Sequence, residues 1–206
     1  WSPYLAAHQY EASLRRLRGK DSTGVAFIFE DGHTEVVKDV VLPHELMEYN
    51  PDYWELRDKA LKNGCIGVIG HNRYATKGQV TQANAHPFQR GKITLVHNGT
   101  AWTYRLPNPF DNGSGIETDS ERIANYIDAR GIDRAWPMLD GAMTLVYWNS
   151  EDKTFNVVTN GKRPMTWMYT KGHEGCLFAS EEWMFFAAAR RCGLVLEEPG
   201  RFYTPE

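Results

Sequence analysis

The sequence predicts an α+β fold in which two β-sheets pack face to face with helices on the outside. Three observations carry that expectation. Segments with strand character outnumber those with helical periodicity. The helical segments fall at the start, in the middle and near the end. No internal repeat, low-complexity tract or Pro/Gly linker divides the chain, so residues 1–206 are expected to form one large domain with a substantial core.

Ser2-Pro3 opens the first element, serine as cap and proline in the first turn. Ala7, Tyr10, Leu14 and Leu17 share one helical face, Glu11, Arg15 and Arg16 lie elsewhere on the wheel, and the helix ends near Arg18-Gly19. Residues 25–30 read as a strand, Asp31-Gly32 as a tight turn and 34–40 as the hairpin partner. Residues 43–62 are helical with a break at Asn50-Pro51. A short apolar strand, 66–70, runs into His71 and Arg73. Residues 77–90 read as loop, and 93–96 as a strand that delivers His97-Asn98-Gly99. The stretch 105–117, rich in Pro, Asn, Gly and Asp, is expected to be a surface loop. Thr118 and Glu121 have capping-box spacing before a helix reaching about residue 129. Residues 141–148 and 155–159 make a second hairpin around 149–153, and 167–169 and 176–179 are further strands. Ser180-Glu181-Glu182 is expected to cap a helix through Arg190 that Gly193 stops. Residues 194–196 and 202–203 complete the sheet.

Composition narrows the function classes. A formal net charge of −3 argues for neither a nucleic-acid nor an anionic-membrane surface. No apolar run approaches the roughly 18 residues of a membrane span, and no secretory pattern is seen at the beginning. Cys65, Cys176 and Cys192 include no Cys-x-x-Cys pair and read as small core groups in a reducing, cytoplasmic compartment. Asn98-Gly99-Thr100 and Asn112-Gly113-Ser114 fit the glycosylation sequon by coincidence in such a compartment. The aromatic groups around Trp1, Tyr4 and Tyr10 and around Trp183, Phe185 and Phe186 read as core packing.

Polar chemistry is concentrated in four strings: residues 70–78, Asn84-Ala85-His86-Pro87-Phe88, His97-Asn98-Gly99-Thr100 and Glu117-Thr118-Asp119-Ser120-Glu121. Together they supply a cation, a histidine, an amide beside a glycine, and a carboxylate. Such a set can hold an amino acid by both ends and stabilise charge at its side-chain carbonyl. The Arg73 guanidinium suits an α-carboxylate, or equally a structural salt bridge. Asp119 suits an α-ammonium group, or the exposed N–H groups of a helix start. Asn98-Gly99 can aim a side-chain and a backbone N–H at one oxyanion, or form a hairpin turn. His71, His86 and His97 lack the close spacing of a metal site and read as structural histidines. No phosphate-binding loop or dinucleotide fingerprint is present.

Taken together and in order, these strings resemble the glutaminase domain of class II glutamine amidotransferases, which are N-terminal nucleophile hydrolases. Arg18-Gly19-Lys20-Asp21-Ser22-Thr23-Gly24 is similar to their Arg-Gly-x-Asp-Ser-x-Gly segment, and His71-Asn72-Arg73-Tyr74-Ala75-Thr76 to their His-Thr-Arg-Trp-Ala-Thr. Asn84-Ala85-His86-Pro87, His97-Asn98-Gly99 and Glu117-Thr118-Asp119-Ser120-Glu121 match family strings. Asp140-Gly141-Ala142, Asn160-Gly161-Lys162-Arg163-Pro164-Met165 and Phe178-Ala179-Ser180-Glu181 resemble later ones.

The resemblance implies a four-layer α-β-β-α sandwich of two mostly antiparallel sheets. It implies that Arg73 binds the α-carboxylate of L-glutamine, Asp119 its α-ammonium, and that Asn98 and Gly99 form the oxyanion hole. Thr76 and His86 would line the pocket, and Arg18 and Asp21 would support the nucleophile. No metal or cofactor is implied, and an ammonia-accepting partner domain or protein is. Tyr74 and Lys77 stand where family members carry tryptophan and histidine, and are expected to tune the pocket. The family opens with a catalytic cysteine on a central strand, whereas this sequence opens with Trp1. The expectation is therefore a truncated piece of a longer protein, with little activity of its own. The alternative is an inactive binding or assembly module on the same fold.

Overall fold

A computed structural model describes residues 19–107, 116–197 and 200–201. The helix expected over 2–18, with Arg18, Trp1, Tyr4 and Tyr10, lies outside the described residues, as do most of the 105–117 loop and the strand expected at 202–203.

Four layers follow from strand alternation, which sends successive side chains to opposite faces. The first sheet has the order β2-β1-β3, from β1 (Ser22–Phe29), β2 (Thr34–Asp39) and β3 (Cys65–Arg73), all antiparallel. Val25, Phe27 and Phe29 of β1 pack against Leu46 of α1 (Pro43–Tyr49) and Tyr53, Leu56 and Ala60 of α2 (Pro51–Lys62). The alternate residues Ala26 and Ile28 face the other way, onto Val96 and Trp148 of the second sheet. That sheet has the order β4-β5-β6-β7, from β4 (Phe88–Arg90), β5 (Ile93–Trp102), β6 (Asp140–Asn149) and β7 (Thr154–Thr159). Its outer face, including Leu95, Met143 and Leu145, is covered by Ile123, Ala124 and Ile127 of α3 (Asp119–Arg130). The buried Trp148 indole also donates to the carbonyl of Gly32, tying the second sheet to the β1–β2 turn (2.9 Å).

The order is thus helices, sheet, sheet, helix, as the resemblance implied. A third sheet of β8 (Thr166–Tyr169), β9 (Cys176–Ala179) and β10 (Gly200–Arg201) is hydrogen-bonded separately, with Met168 and Ala179 packed on Met184 and Phe185 of α5 (Trp183–Cys192). A short α4 (Ile132–Ala135) and a 3-10 turn (Trp136–Met138) link α3 to β6. Among the described residues no helix is long and apolar enough to cross a membrane.

Local signals set several boundaries. Asn50 separates α1 from α2, and its side chain accepts from the Tyr53 N–H (3.0 Å) before Pro51 opens the next helix. Thr118 caps α3 by accepting from the Glu121 N–H at 3.2 Å. The reciprocal half of that box is replaced, because the Glu121 carboxylate pairs with Arg90 on β4. Gly193 ends α5 in the left-handed region at φ 66°.

Other boundaries differ from the sequence expectation. β1 starts at Ser22, β3 runs on through Arg73, and Phe88–Arg90, expected as loop, pairs with Ile93–Leu95. β5 does not stop at Asn98-Gly99; it continues to Trp102 against β6. Ser180 does not cap α5, whose preceding residue Glu182 makes no side-chain cap. Leu196 forms a single bridge to Thr170 in place of a strand over 194–196.

Candidate active site

The ends of β3 and β5, the start of α3 and residues of the third sheet enclose a cleft of about 1600 Å³. Arg73, Thr76, His86, Asn98, Gly99 and Asp119 all line it. Six of the eight residues that the sequence singles out therefore meet in one place. Asp21 lies just behind them, and Arg18 is outside the described residues.

Arg73 is carried to the cleft by the last residue of β3 and is only 4 % exposed. Its Nη1 donates to the Gln79 carbonyl at 3.0 Å and its Nη2 to the Lys77 carbonyl, so the guanidinium folds residues 74–79 around itself. A guanidinium has five N–H donors, and these two bonds leave capacity for a carboxylate. Burial draws its pKa down, while the negative charges of Asp21, Asp119 and Glu117 oppose that.

The loop is fastened from outside as well. Asp21 accepts from the Ala75 N–H at 2.7 Å, and its own N–H donates to the Arg73 carbonyl at 3.0 Å. Its visible role is therefore to hold the Arg73–Ala75 backbone. Glu117 accepts from the Gln79 N–H (2.9 Å) and the Asn84 side chain (2.7 Å). Those bonds, the backbone one first, hold the Glu117 carboxyl below the usual range. The Thr76 and Thr100 hydroxyls lie 3.2 Å apart, joining the loop to β5.

Asp119 is the first residue of α3 and is 8 % exposed. Its Oδ2 accepts from the Ala101 N–H at 2.8 Å and its Oδ1 from the Ser120 N–H at 3.0 Å. The carboxylate thus serves the helix start and β5 together. Lys77 Nζ lies 3.9 Å from Asp119 Oδ2 and donates to the Ala101 carbonyl at 2.7 Å.

Asn98 and Gly99 occupy the inner part of β5. The Asn98 Nδ2 is buried and has no hydrogen-bond partner among the described residues. Leaving a buried donor unpaired costs roughly 1–3 kcal/mol, so such atoms mark places where a further group is received. Gly99 adopts φ 135°, and a Cβ there would come 1.9 Å from the Ala142 carbonyl oxygen, so no other residue fits. Met143, its partner in register, turns its N–H and C=O toward Asn160. The Ala101 N–H, two residues along, points to Asp119. Strand alternation therefore aims the Gly99 N–H away from β6, along the edge where Asp119 stands.

Three histidines stand behind this edge. The His86 ring, whose residue precedes a cis bond to Pro87, has its centroid 4.2 Å from that of His71 and 4.8 Å from that of Phe88, and is 5 % exposed. Burial, followed by the neighbouring His71, His97, Arg73 and Lys38, pushes its pKa well below the ordinary histidine value, so the ring is neutral. Both its nitrogens, and Nε2 of His97, lack partners among the described residues. His97 Nδ1 lies 3.0 Å from the Ser120 hydroxyl, and burial, its largest influence, lowers its pKa. Among the described residues no three His, Cys, Asp or Glu side chains are placed to share a metal ion.

The sequence reading assigned no role to Lys38, Asn84 or Glu117. Lys38 Nζ donates to the carbonyls of Ala83, Ala85 and Pro87 (3.3, 2.7 and 3.2 Å), fastening the loop that carries His86. Asn84 belonged to a recognised string, but its bond to Glu117 spans 33 residues and has no local signal. Lys38 lies on a strand with nothing in its vicinity to set it apart.

Residues 71–187 match the model of a family described as the glutamine amidotransferase domain. Glutamine--fructose-6-phosphate aminotransferase [isomerizing] of Haemophilus ducreyi is 30 % identical over 181 residues, covering 77 % of this chain and 27 % of that protein. The Staphylococcus aureus protein of the same name is 32 % identical over 162 residues, covering 72 % and 26 %. The chain thus spans about a quarter of the length of these curated relatives. Among solved structures, the glutamine phosphoribosylpyrophosphate amidotransferase of B. subtilis, complexed with ADP and GMP, superimposes with a TM-score of 0.67 at 21 % identity, over 96 % of this chain and 43 % of that one. A second, described as the allosteric regulatory enzyme of purine biosynthesis, gives 0.68 at 22 % over the same shares. With the family model covering more than half of the chain, including nearly all of the cleft-forming strings, the chain belongs to the glutamine amidotransferase domain family.

Proposed function

We propose that this chain is a glutaminase domain that binds L-glutamine in the cleft and hydrolyses its side-chain amide to glutamate and ammonia. One observation carries the reading. A buried guanidinium and a buried carboxylate line the same cleft as an amide donor that has no partner among the described residues and stands beside a glycine backbone. Arg73 receives the α-carboxylate and Asp119 the α-ammonium, which sets the substrate's direction. Asn98 Nδ2 and the Gly99 N–H then meet the side-chain oxygen as it gains charge. Thr76 and His86 shape the wall, and Asp21 keeps the Arg73 loop in place.

The nucleophile in this reading is the thiol of a cysteine that begins the mature polypeptide, with its own α-amino group as base. The thiol attacks the side-chain carbonyl carbon, ammonia leaves with the transferred proton, and water cleaves the thioester. The cysteines of this sequence do not suit the task. Cys65 Sγ is turned to the Gly67 carbonyl at 3.2 Å. Burial raises the Cys176 and Cys192 thiols, which disfavours the thiolate. The chemistry requires no metal or cofactor. Ammonia passes to an acceptor on a partner domain or protein, and residues 1–206 serve as one domain of that assembly in the cytoplasm, without nucleic acid or membrane as partner.

The test is glutamate release from L-glutamine by the full-length polypeptide of the reading frame. Release is expected there, and little from residues 1–206 alone. A folded full-length protein that binds glutamine without turning it over would support the non-enzymatic module instead.

Lys77 gives a smaller test of the same site. Its ammonium stands beside Asp119 and competes with that of the substrate. Lys77→Met is expected to lower the KM for glutamine by roughly two- to fivefold, the scale of a partly exposed ion pair. A raised KM in steady-state assays would show that Lys77 helps to bind the substrate.

A further inference from the structure

We propose that Asn160 is a positioning residue that sets the Gly99 backbone amide by holding the facing stretch of β6 where no strand among the described residues does so. The inference rests on the glutaminase reading for its catalytic consequence, though not for its structural one.

β7 pairs with residues 144–149 of β6 and ends at Thr159. Residues 141–143 therefore extend beyond that ladder, while on their other side they pair with 99–101. A strand segment bordered on one side only has unpaired groups and freedom to shift. The Asn160 side chain takes the place that a longer β7 would fill. Its Nδ2 donates to the Gly141 carbonyl at 2.9 Å, and its Oδ1 accepts from the Met143 N–H at 3.3 Å. The Asn160 N–H donates to the Met143 carbonyl at 3.3 Å. These bonds bracket Ala142, whose carbonyl oxygen packs against Gly99.

The turn after β7 is itself fastened. The Lys162 N–H donates to Asn160 Oδ1 at 3.3 Å, and the Gly161 N–H to the Thr159 hydroxyl at 3.1 Å. Thr144, which faces Asn98 across the ladder, reaches the Arg163 carbonyl at 3.1 Å and the Thr159 hydroxyl at 2.7 Å. Residues 159–163 thus clasp β6 directly behind Asn98 and Gly99, the two oxyanion donors of the glutaminase reading. A shift of β6 would move Gly99 with it, and donors displaced by even an ångström lose their preference for the transition state.

The test uses the full-length protein with Asn160→Ala and Asn160→Asp, and Asn156→Ala as control. Among the described residues the Asn156 side chain bonds to Thr154 of its own strand, away from residues 141–143. Hydrogen exchange of the amides at 99–101 and 141–143 is expected to accelerate at least about tenfold in Asn160→Ala, with 25–28 of β1 unchanged. Glutamine turnover should show kcat lowered about tenfold or more and KM altered by less than about threefold. Asn160→Asp keeps the acceptor for Met143 and loses only the donor to Gly141, so it should fall between. It also serves if the alanine variant does not fold. Unchanged exchange at 99–101 in either folded variant overturns the positioning role. Faster exchange with unchanged kcat overturns its catalytic consequence. If the unaltered protein hydrolyses no glutamine, the glutaminase reading fails and the exchange data alone decide the role of Asn160.

Discussion

Asn98→Ala should lower kcat for glutamine hydrolysis by a factor on the order of 10² to 10³ and leave KM nearly unchanged. The Asn98 Nδ2 is buried at the cleft with no partner among the described residues, so it holds its direction without being spent on the protein. A neutral amide oxygen in the bound substrate gains little from such a donor. The tetrahedral intermediate carries a full negative charge on that oxygen and gains much more. The loss should therefore fall on the chemical step. Steady-state kinetics check it, and a tenfold rise in KM with kcat intact would move Asn98 from oxyanion stabilisation to ground-state binding.

Arg73→Ala should raise the KM for glutamine by a factor on the order of 10² and affect kcat less, since the α-carboxylate has the same charge throughout the reaction. The substitution removes two contributions at once. The substrate loses its charged partner, and the carbonyls of Lys77 and Gln79 lose the guanidinium that gathers them. Arg73→Lys should not restore affinity, because one ammonium cannot reach both carbonyls and a carboxylate in fork geometry. Titration calorimetry with L-glutamate separates this from catalysis: binding should weaken in parallel with KM. Normal glutamate affinity in Arg73→Ala would assign the arginine to loop structure alone.

Much of this arrangement was legible in the sequence because local signals carried it. The Asn50-Pro51 break, the Thr118 cap and the Gly193 stop each depend on residues within a few positions, and each stands where expected. The cleft residues were legible for a different reason: their strings resemble a family, and only that order joins Arg73 to Asp119. What was hidden depends on distant pairing. Asn-Gly is a turn signal by itself, and only β6, over forty residues on, draws β5 through Gly99 to Trp102. Phe88–Arg90 was hidden for another reason: it pairs with the neighbouring Ile93–Leu95, but three residues are too few to show strand alternation. Lys38 and Asn160 act through carbonyls and amides of other segments, and no side-chain spacing announces such contacts. Asp21 shows a limit of resemblance: the implied role was support of the nucleophile, and its bonds among the described residues hold the Arg73 loop.

A crystal structure of the full-length protein with L-glutamate tests most directly whether this cleft grips a free α-amino acid by both ends. The α-carboxylate is predicted within hydrogen-bond distance of the Arg73 guanidinium and the α-ammonium against Asp119, with the side chain directed at Asn98 and Gly99. Glutamate bound in the reverse direction, or away from these residues in a folded protein, would contradict the account.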